Sequence, residues 1–370
     1  MAKQKVNFEP IIHILAIVTV VLFIFNLFFI SSLSSNLNQK ILEAKELARP
    51  ANLQLTIIPV ACDKCFDINQ VVSKIRSGNV NITKEEVLDA NQAQALIQKY
   101  NIKKLPTVIV QGELNKTELN SSLEPVLDGL VFTALTPPYY DVTSQKLKGF
   151  VTATIINADS CTNCTNPTAL INQLISSGVV IGQVNNLSES DGASLIVTYD
   201  IKTLPAVILS SDASEYKLIK DNWNAIGSVE LDGNYVVRTM PPPFKNLTTN
   251  QIEGLVSLVY VTDSQCKDCY DVKTHKRIIQ GYNLVILNET TVDVSTSDGL
   301  AYAKANNITL VPTIVISKES KAYASFYKVF KQVSQESSNG NLVFNALALM
   351  GKYKNLETGE VISPPTQQGQ

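Results

Sequence analysis

Histidine and charged residues are scarce in this chain of 370 residues. Only two histidines occur, His13 and His275, which is too few and too far apart for a histidine metal site. Charged residues make up 17% of the chain, and the net charge is −2 without a basic stripe, so nucleic-acid binding has little support. The hydrophobic share of 45% excludes a disordered chain and leaves enough apolar surface for folded domains.

Formal charge is missing altogether from residues 11–30, where His13 is the one titratable side chain. A stretch of this length crosses the ~30 Å hydrocarbon core of a bilayer as a helix. A cleaved signal peptide has a shorter apolar region of about 7–15 residues and an Ala-x-Ala-like site, which is absent here. We therefore predict a short N-terminal segment, 1–10, and a retained transmembrane anchor, 11–30. A cleaved signal peptide and a buried core helix are the alternatives.

The residues after the anchor indicate a stalk and an extracytoplasmic location. Residues 31–50 are polar and helix-prone, and Pro50 is expected to end the helix. Lysines flank the apolar stretch on both sides, so the positive-inside rule does not decide the orientation. Paired cysteines and many Asn-x-Ser/Thr sequons favour an oxidising, extracytoplasmic compartment for the C-terminal part, with chance composition as the alternative source of the sequons. The sequons are at Asn81, Asn115, Asn120, Asn163, Asn186, Asn246, Asn288 and Asn307.

All six cysteines fall into three Cys-x-x-Cys pairs that recur at intervals of 99 and 105 residues. The pairs are Cys62/Cys65, Cys161/Cys164 and Cys266/Cys269. A proline that opens a β-rich run follows the first cysteine of each pair after 44, 44 and 46 residues. This repetition predicts three tandem domains and a loose tail. Their predicted bounds are 51–148, 149–252, 253–362 and, for the tail, 363–370.

Each repeat alternates strand-like and helix-like runs. In the first repeat, 53–60 is rich in β-forming residues, and 68–75 has apolar residues at spacings of three and four. A second strand and helix lead to the proline and another strand, which is an α/β pattern. Asp-Gly or Asn-Gly pairs near the end of each repeat predict tight turns. The proline runs at 137–138 and 241–243 are predicted to be stiff connectors between domains.

The order strand, Cys-x-x-Cys, helix and distant x-Pro before a strand resembles the thioredoxin fold. An isoleucine four residues before each proline, at Ile102, Ile201 and Ile308, adds to the resemblance, which covers residues 51–350. The resemblance implies an α/β fold with three tandem thioredoxin-like domains after an N-terminal transmembrane helix. It also implies the activity of membrane-anchored protein disulfide isomerases and thioredoxin-family oxidoreductases.

The resemblance assigns roles to both halves of the motif. The first cysteine of each pair would be an exposed nucleophile at a helix N-terminus, which favours the thiolate, and the second would resolve the mixed disulfide. The proline would be cis and pack against the pair, and the peptide groups of the residue before it would bind a substrate peptide. These substrate-binding pairs are Leu105-Pro106, Leu204-Pro205 and Val311-Pro312. The implied partners are protein thiols or disulfides and a redox partner of unknown identity, with no cofactor besides the disulfides and no metal.

The surroundings of the cysteines depart from the family pattern. The aromatic residue usual before the first cysteine is replaced by Ala61, Ser160 and Gln265. The buried acid six residues before it is replaced by Thr56, Ile155 and Tyr260. These departures support an alternative, a non-catalytic scaffold or chaperone module with three local structural disulfides. Zinc binding has little support, because the pairs are about 100 residues apart and a zinc site needs four close ligands.

Overall fold

The structure is a computed structural model that describes residues 9–364, with side chains from residue 15 onwards except at position 120. Most of the expected N-terminal segment and C-terminal tail lies outside these residues. The chain divides into two compact units, Met1–Leu147 and Lys148–Gln370. The first unit holds one repeat and the second holds two, and the domain bounds given above stay predictions.

Helix α1 (Glu9–Ala48) is continuous over 40 residues. From Leu15 onwards it is long and apolar enough to cross a membrane, and its most apolar window is not covered by protein. A signal sequence has the same properties. The stalk predicted at 31–50 is part of the same helix, which ends two residues before Pro50 because a proline ring clashes with a continuing helix.

Ion pairs fasten the end of α1 to the first repeat. Arg49 contacts the carboxylates of both Glu46 and Glu113, and Lys116 Nζ lies 2.6 Å from Glu46 Oε1. Asn79 also donates a hydrogen bond to the carbonyl of Ala48, at 3.1 Å. The C-terminal part of α1 is therefore a continuous helical extension of its apolar part, joined to the first repeat at its end. At 1.5 Å per residue, residues 30–48 extend over about 27 Å.

The first repeat has three layers, with α2 on one face of a five-stranded sheet and α3 on the other. The sheet order is β2-β1-β4-β6-β5, with β1 parallel to β2 and antiparallel to β4. The elements are β1 (Ala51–Ile58), α2 (Asn69–Arg76), β2 (Val80–Val87), α3 (Gln94–Lys99), β3 (Lys104–Leu105), β4 (Thr107–Gly112), β5 (Glu124–Val126), β6 (Gly129–Val131), β7 (Tyr139–Asp141) and β8 (Lys146–Lys148). Short 3₁₀ turns lie at Leu114–Lys116 and Leu119–Ser121.

The core of this repeat follows from the apolar pattern of β1. Leu53 and Leu55 are on the face that packs with Val72 and Ile75 of α2. Ile58 faces the other cluster, which includes Ile97 of α3. Apolar residues therefore alternate with polar ones from Ala51 to Thr56, and only Ile57 and Ile58, where helices cover both faces, are apolar in succession.

The second and third repeats have the same sheet, in the orders β10-β9-β12-β14-β13 and β18-β17-β20-β22-β21. They differ from the first by one short helix, α6 or α9, which lies between two 3₁₀ turns. The second repeat has β9 (Val151–Ile156), α4 (Thr168–Ser176), β10 (Ile181–Leu187), α5 (Ala193–Thr198), β11 (Thr203–Leu204), β12 (Ala206–Leu209), α6 (Lys217–Asn222), β13 (Gly227–Val229), β14 (Tyr235–Val237), β15 (Phe244–Asn246) and β16 (Gln251–Glu253). The third has β17 (Leu255–Thr262), α7 (Thr274–Gln280), β18 (Val285–Asp293), α8 (Ser297–Ala305), β19 (Leu310–Val311), β20 (Thr313–Ile316), α9 (Ala324–Phe330), β21 (Ser334–Glu336), β22 (Leu342–Phe344), β23 (Tyr353–Asn355) and β24 (Val361–Ile362).

Each repeat also has a second, three-stranded antiparallel sheet. It joins the short strand before the predicted cis proline to the hairpin that ends the repeat, in the orders β3-β7-β8, β11-β15-β16 and β19-β23-β24. The proline runs at 137–138 and 241–243 lead directly into these hairpins. The prediction that they are connectors between domains is therefore wrong. The residues after them form strands of the same repeat.

The junction between α1 and the first repeat is expected to loosen in acid. Hydrogen bonds from Arg49 hold the pKa of Glu46 and of Glu113 at about 2, below the ordinary value of a glutamate. A carboxylate with a lowered pKa contributes fully above its unfolded pKa, and its contribution is lost as the pH falls towards about 2. A spin label at Leu42→Cys should therefore gain mobility over this acidic range.

The variant Glu113→Gln should loosen the same junction at neutral pH. The matched control is Glu85→Gln, which removes a carboxylate from the exposed Arg76–Glu85 pair of the same repeat, where the atoms are 2.6 Å apart. Equal label mobility in wild type and Glu113→Gln would contradict a rigid junction.

Candidate redox site

Each Cys-x-x-Cys pair forms a disulfide within itself. The Cα–Cα distances are 5.3 Å for Cys62–Cys65, 5.4 Å for the second pair and 5.5 Å for the third. All six cysteines are half-buried, and the two residues between each pair are exposed. The disulfides therefore lie at the surface. In residues 9–364, no group of three or more His, Cys, Asp and Glu side chains could hold a metal ion.

The cysteine pairs lie in turns and not at helix N-termini. The helices α2, α4 and α7 begin at Asn69, Thr168 and Thr274, which are seven or eight residues beyond the first cysteine of each pair. The predicted helix N-terminal position of the first cysteine is therefore wrong. The electrostatic effect of a helix end falls off within about one turn, so it contributes little to a thiolate here.

An Asp or Asn two residues after the second cysteine explains where the helices begin. The Oδ1 atom of Asp67 accepts the backbone N–H of Asn69 at 3.0 Å. Asn166 and Asp271 accept the equivalent N–H groups at 2.9 Å. This Asx turn satisfies a backbone donor at the start of the helix and delays its first turn.

The prolines are positioned by the end of the preceding helix. Asn101, Asp200 and Asn307 have φ angles of 52°, 49° and 57°, the left-handed conformation that ends a helix. The following isoleucines are buried in the core. The peptide bonds Leu105-Pro106, Leu204-Pro205 and Val311-Pro312 are cis, as the resemblance implied.

These observations decide the fold. The fold of each repeat is thioredoxin-like. The α/β layers, the sheet order, the disulfide after the first strand and the cis proline before the central strand recur in all three repeats. The predicted fold of three tandem thioredoxin-like repeats after an N-terminal apolar helix is confirmed.

The comparison of sequences matches no protein-family model and no curated protein. Solved structures that match include the alkylhydroperoxide reductase AhpF of Enterococcus faecalis, at 12% identity, with 47% of this chain and 89% of that chain covered and a TM-score of 0.15. ERdj5 matches at 13% identity, with 74% and 37% covered and a TM-score of 0.14. Human ERp44 matches at 12% identity, with 80% and 93% covered and a TM-score of 0.13. TM-scores this low add nothing to the topology described above.

The residue before each cis proline is paired with the repeat's own chain. Leu105 is opposite Tyr140 of β7, Leu204 opposite Lys245 of β15, and Val311 opposite Lys354 of β23. We call β7, β15 and β23 the straps of the three repeats.

The hydrogen bonds of the residue directly after each strap show which residue pairs of the ladder are hydrogen-bonded. The N–H of Val142 donates to the carbonyl of Lys103, and the equivalent pairs in the other repeats are Leu247 with Lys202 and Leu356 with Thr309. Hydrogen-bonded pairs alternate along an antiparallel ladder. Therefore Leu105, Leu204 and Val311 each exchange both of their backbone hydrogen bonds with the strap.

The residue directly before each strap also binds the cysteine loop of its repeat. The N–H of Phe66, directly after Cys65, donates to the carbonyl of Pro138, at 3.4 Å. The equivalent bonds join Thr165 to Pro243 at 2.8 Å and Tyr270 to Lys352 at 2.9 Å. Each strap therefore connects the two halves of the site, the cysteine turn and the cis-proline strand.

Lysines on two of the straps form ion pairs beside the cysteine turns. Lys354 Nζ lies 2.7 Å from Asp263 Oδ2, and the Asp263 side chain is 3% exposed. Asp263 accepts the N–H groups of Gln265, at its carboxylate, and of Cys266, at its carbonyl. In the second repeat, Lys245 lies 2.9 Å from Glu189, with 10% of the lysine side chain exposed.

These lysines and acids are not among the site residues predicted from the sequence. The available signal is the recurring aromatic-x-Asx pattern of the straps, Tyr139-Tyr140-Asp141, Phe244-Lys245-Asn246 and Tyr353-Lys354-Asn355. In the first repeat the strap residue at the lysine position is Tyr140, so the charge pattern differs among the repeats.

The third repeat alone places a histidine next to its site. His275 is 2% exposed, and its Nε2 lies 3.1 Å from the Tyr270 hydroxyl, which donates to the carbonyl of Pro312 at 2.8 Å. With that carbonyl as the acceptor for Tyr270, Nε2 of the neutral ring carries the hydrogen. Burial lowers the pKa of His275 to about 4 and raises the pKa of Tyr270.

The stability of the third repeat is expected to fall between pH 6.5 and pH 4. His275 has a folded pKa of about 4, so between these values the unfolded chain binds the proton and the folded chain does not. The contribution is fully present above pH 6.5 and is lost as the pH falls. Urea-dependent hydrogen exchange of α7, corrected for intrinsic rates, measures this stability.

The variant His275→Leu should remove most of this pH dependence, because leucine does not titrate. The Tyr270 hydroxyl keeps its hydrogen bond to the Pro312 carbonyl, so this contact beside the site is retained in the variant. A wild-type stability of α7 that is flat from pH 6.5 to pH 4 would contradict the assignment.

Proposed function

We propose that the chain is a membrane-anchored, extracytoplasmic thiol–disulfide oxidoreductase or isomerase that acts on protein disulfides through three sites. One observation carries this proposal: in each of three repeats, a half-exposed disulfide is followed by a cis proline in a thioredoxin-like fold. The catalytic cysteines would be Cys62, Cys65, Cys161, Cys164, Cys266 and Cys269. No cofactor besides these disulfides is required.

The proposed exchange balances within the two partners. A thiolate of a client dithiol attacks Cys62, forms a mixed disulfide and releases Cys65 as a thiolate that takes up a proton. The second client thiolate attacks the client sulfur of the mixed disulfide, closes the client disulfide and releases Cys62. The client loses two electrons and the Cys62–Cys65 disulfide gains them. The reverse sequence reduces a client disulfide.

The proposed extracytoplasmic location is supported by α1, by the disulfides and by the exposure of several sequons. The apolar length of α1 supports a membrane anchor, and the three disulfide pairs favour an oxidising compartment for the repeats. The Asn246 amide is committed to the hairpin turn, because it donates to Glu253 and accepts from Thr248. Better candidates for glycosylation are the exposed asparagines Asn115, Asn186, Asn288 and Asn307, whereas Asn163 is expected to stay unmodified because the Cys161–Cys164 disulfide obstructs attachment.

A scaffold with three local disulfides is the second candidate. Two observations favour it. The cysteines lie outside the helix ends that would favour a thiolate, and the peptide groups before the cis prolines are bonded to the straps. On this hypothesis the disulfides resist mild reductant, with potentials below about −300 mV.

Trapping of mixed disulfides separates the two candidates. Without Cys65, Cys164 or Cys269, a mixed disulfide at the first cysteine cannot be resolved within the pair. Each of Cys65→Ala, Cys164→Ala and Cys269→Ala should therefore accumulate covalent adducts with client proteins. If the sites are independent and equivalent, each variant should lose roughly one third of the exchange rate on a model protein disulfide.

The matched controls remove both cysteines of a pair, for example Cys62→Ala with Cys65→Ala, and should trap nothing at that site. Adducts are identified on non-reducing gels and by mass spectrometry. Absence of adducts in all three single variants, together with no exchange by the wild type, rejects the oxidoreductase and leaves the scaffold.

A further inference from the structure

We propose that the straps β7, β15 and β23 are autoinhibitory: each closes its site to polypeptides and leaves the disulfide open to small thiols. This inference rests on the proposed function and specifies which substrates the closed sites accept. The straps fill the edge that the thioredoxin resemblance assigns to a substrate peptide.

Backbone hydrogen bonding makes the competition direct. An extended client would need the N–H and carbonyl of Leu105, Leu204 or Val311, and the strap already uses both. These three residues are 0% exposed. A client that pairs as a strand must therefore replace the strap at these positions.

The sulfur atoms themselves are not closed in the same way. All six cysteines are half-buried and the residues between them are exposed, so a small dithiol can reach a disulfide without strand pairing. The strap thus discriminates by the size and extension of the substrate.

Partly buried ion pairs fasten two of the straps beside their cysteine turns. Lys354 holds Asp263, three residues before Cys266, and Lys245 holds Glu189, whose N–H donates to Asp159 near Cys161. Charge pairs shielded from water resist opening more than exposed ones, because leaving one charge buried alone is costly. The uncharged Tyr140 replaces the lysine in the first repeat.

Removal of both charges of one pair should open one strap. In Asp263→Asn with Lys354→Met, the amide still accepts the N–H of Gln265 and no buried charge is left unpaired. A reduced, unfolded polypeptide dithiol should then reduce Cys266–Cys269 about tenfold faster, the effect of lowering the closing free energy by about 1.4 kcal/mol. The rate with dithiothreitol should stay within about twofold, because that reaction needs no opening.

Alkylation and mass spectrometry resolve the three disulfides in the full chain. The other two pairs should react as in wild type. The matched control is Lys321→Met with Glu336→Gln, an exposed ion pair of the same repeat away from the strap, 2.5 Å apart. If the third repeat of the double variant does not fold, Glu189→Gln with Lys245→Met gives the same test at Cys161–Cys164.

Four outcomes are informative. A selective increase with the polypeptide, together with faster hydrogen exchange in residues 353–355, supports the strap. The proposal is overturned if the rates with both reductants increase equally. It is also overturned if hydrogen exchange in the strap is faster but the polypeptide, which already reacts with the wild type, reacts no faster. Failure of the proposed function looks different: no form of the chain reacts with any polypeptide although dithiothreitol reduces all three disulfides, and this result overturns the strap as a barrier too.

Discussion

The backbone pairing between each strap and the residue before the cis proline is the constraint on which the rest of each site depends. A peptide group forms its ladder bonds with one neighbouring strand at a time, so this pairing decides what else can bind there. The residue directly before the strap accepts the N–H that follows the second cysteine, and in two repeats the strap supplies the lysine of a partly buried ion pair. The position of the cysteine turn, the closure of the edge and the second small sheet are therefore one connected arrangement.

The sequence predicts those strands and helices whose apolar residues recur with a regular period over several residues. The first strand of the first repeat alternates buried apolar and more exposed polar residues up to Thr56, which is the period of a strand, and 68–75 has the helical spacing of α2 to within one residue. The helix starts were not predictable in this way, because one Asx side chain decides them. The straps have three residues each, which is too short for a period of two to stand out, and the proline run before β7 suggested a linker.

The three sites share a backbone frame but not an electrostatic environment. The residue after the second cysteine is Phe66 in the first repeat, stacked on Phe132 at 5.2 Å, and Tyr270 in the third, bonded to a neutral buried histidine. An acid lies beside the cysteine turn of the third repeat, but three residues before the first cysteine rather than six. Since the thiolate and thiol forms respond to nearby charge, equal spacing of the cysteines does not imply equal potentials.

In the proposed oxidoreductase, access to Cys62 depends on the helical stalk and on the strap rather than on a flexible tether. The ion pairs at Arg49 join the first repeat to α1, so a client of the proposed oxidoreductase would reach Cys62 at the height that the helical stalk sets above the apolar part of α1. A rigid stalk also loses little conformational entropy when a client binds, in contrast to a disordered linker that must be ordered. With the tether fixed, the strap is the element of this repeat whose movement can open the site. The weakest point of the closed site is then the strap of the first repeat, where the strap residue opposite Leu105 is an uncharged tyrosine and not a lysine held by an acid.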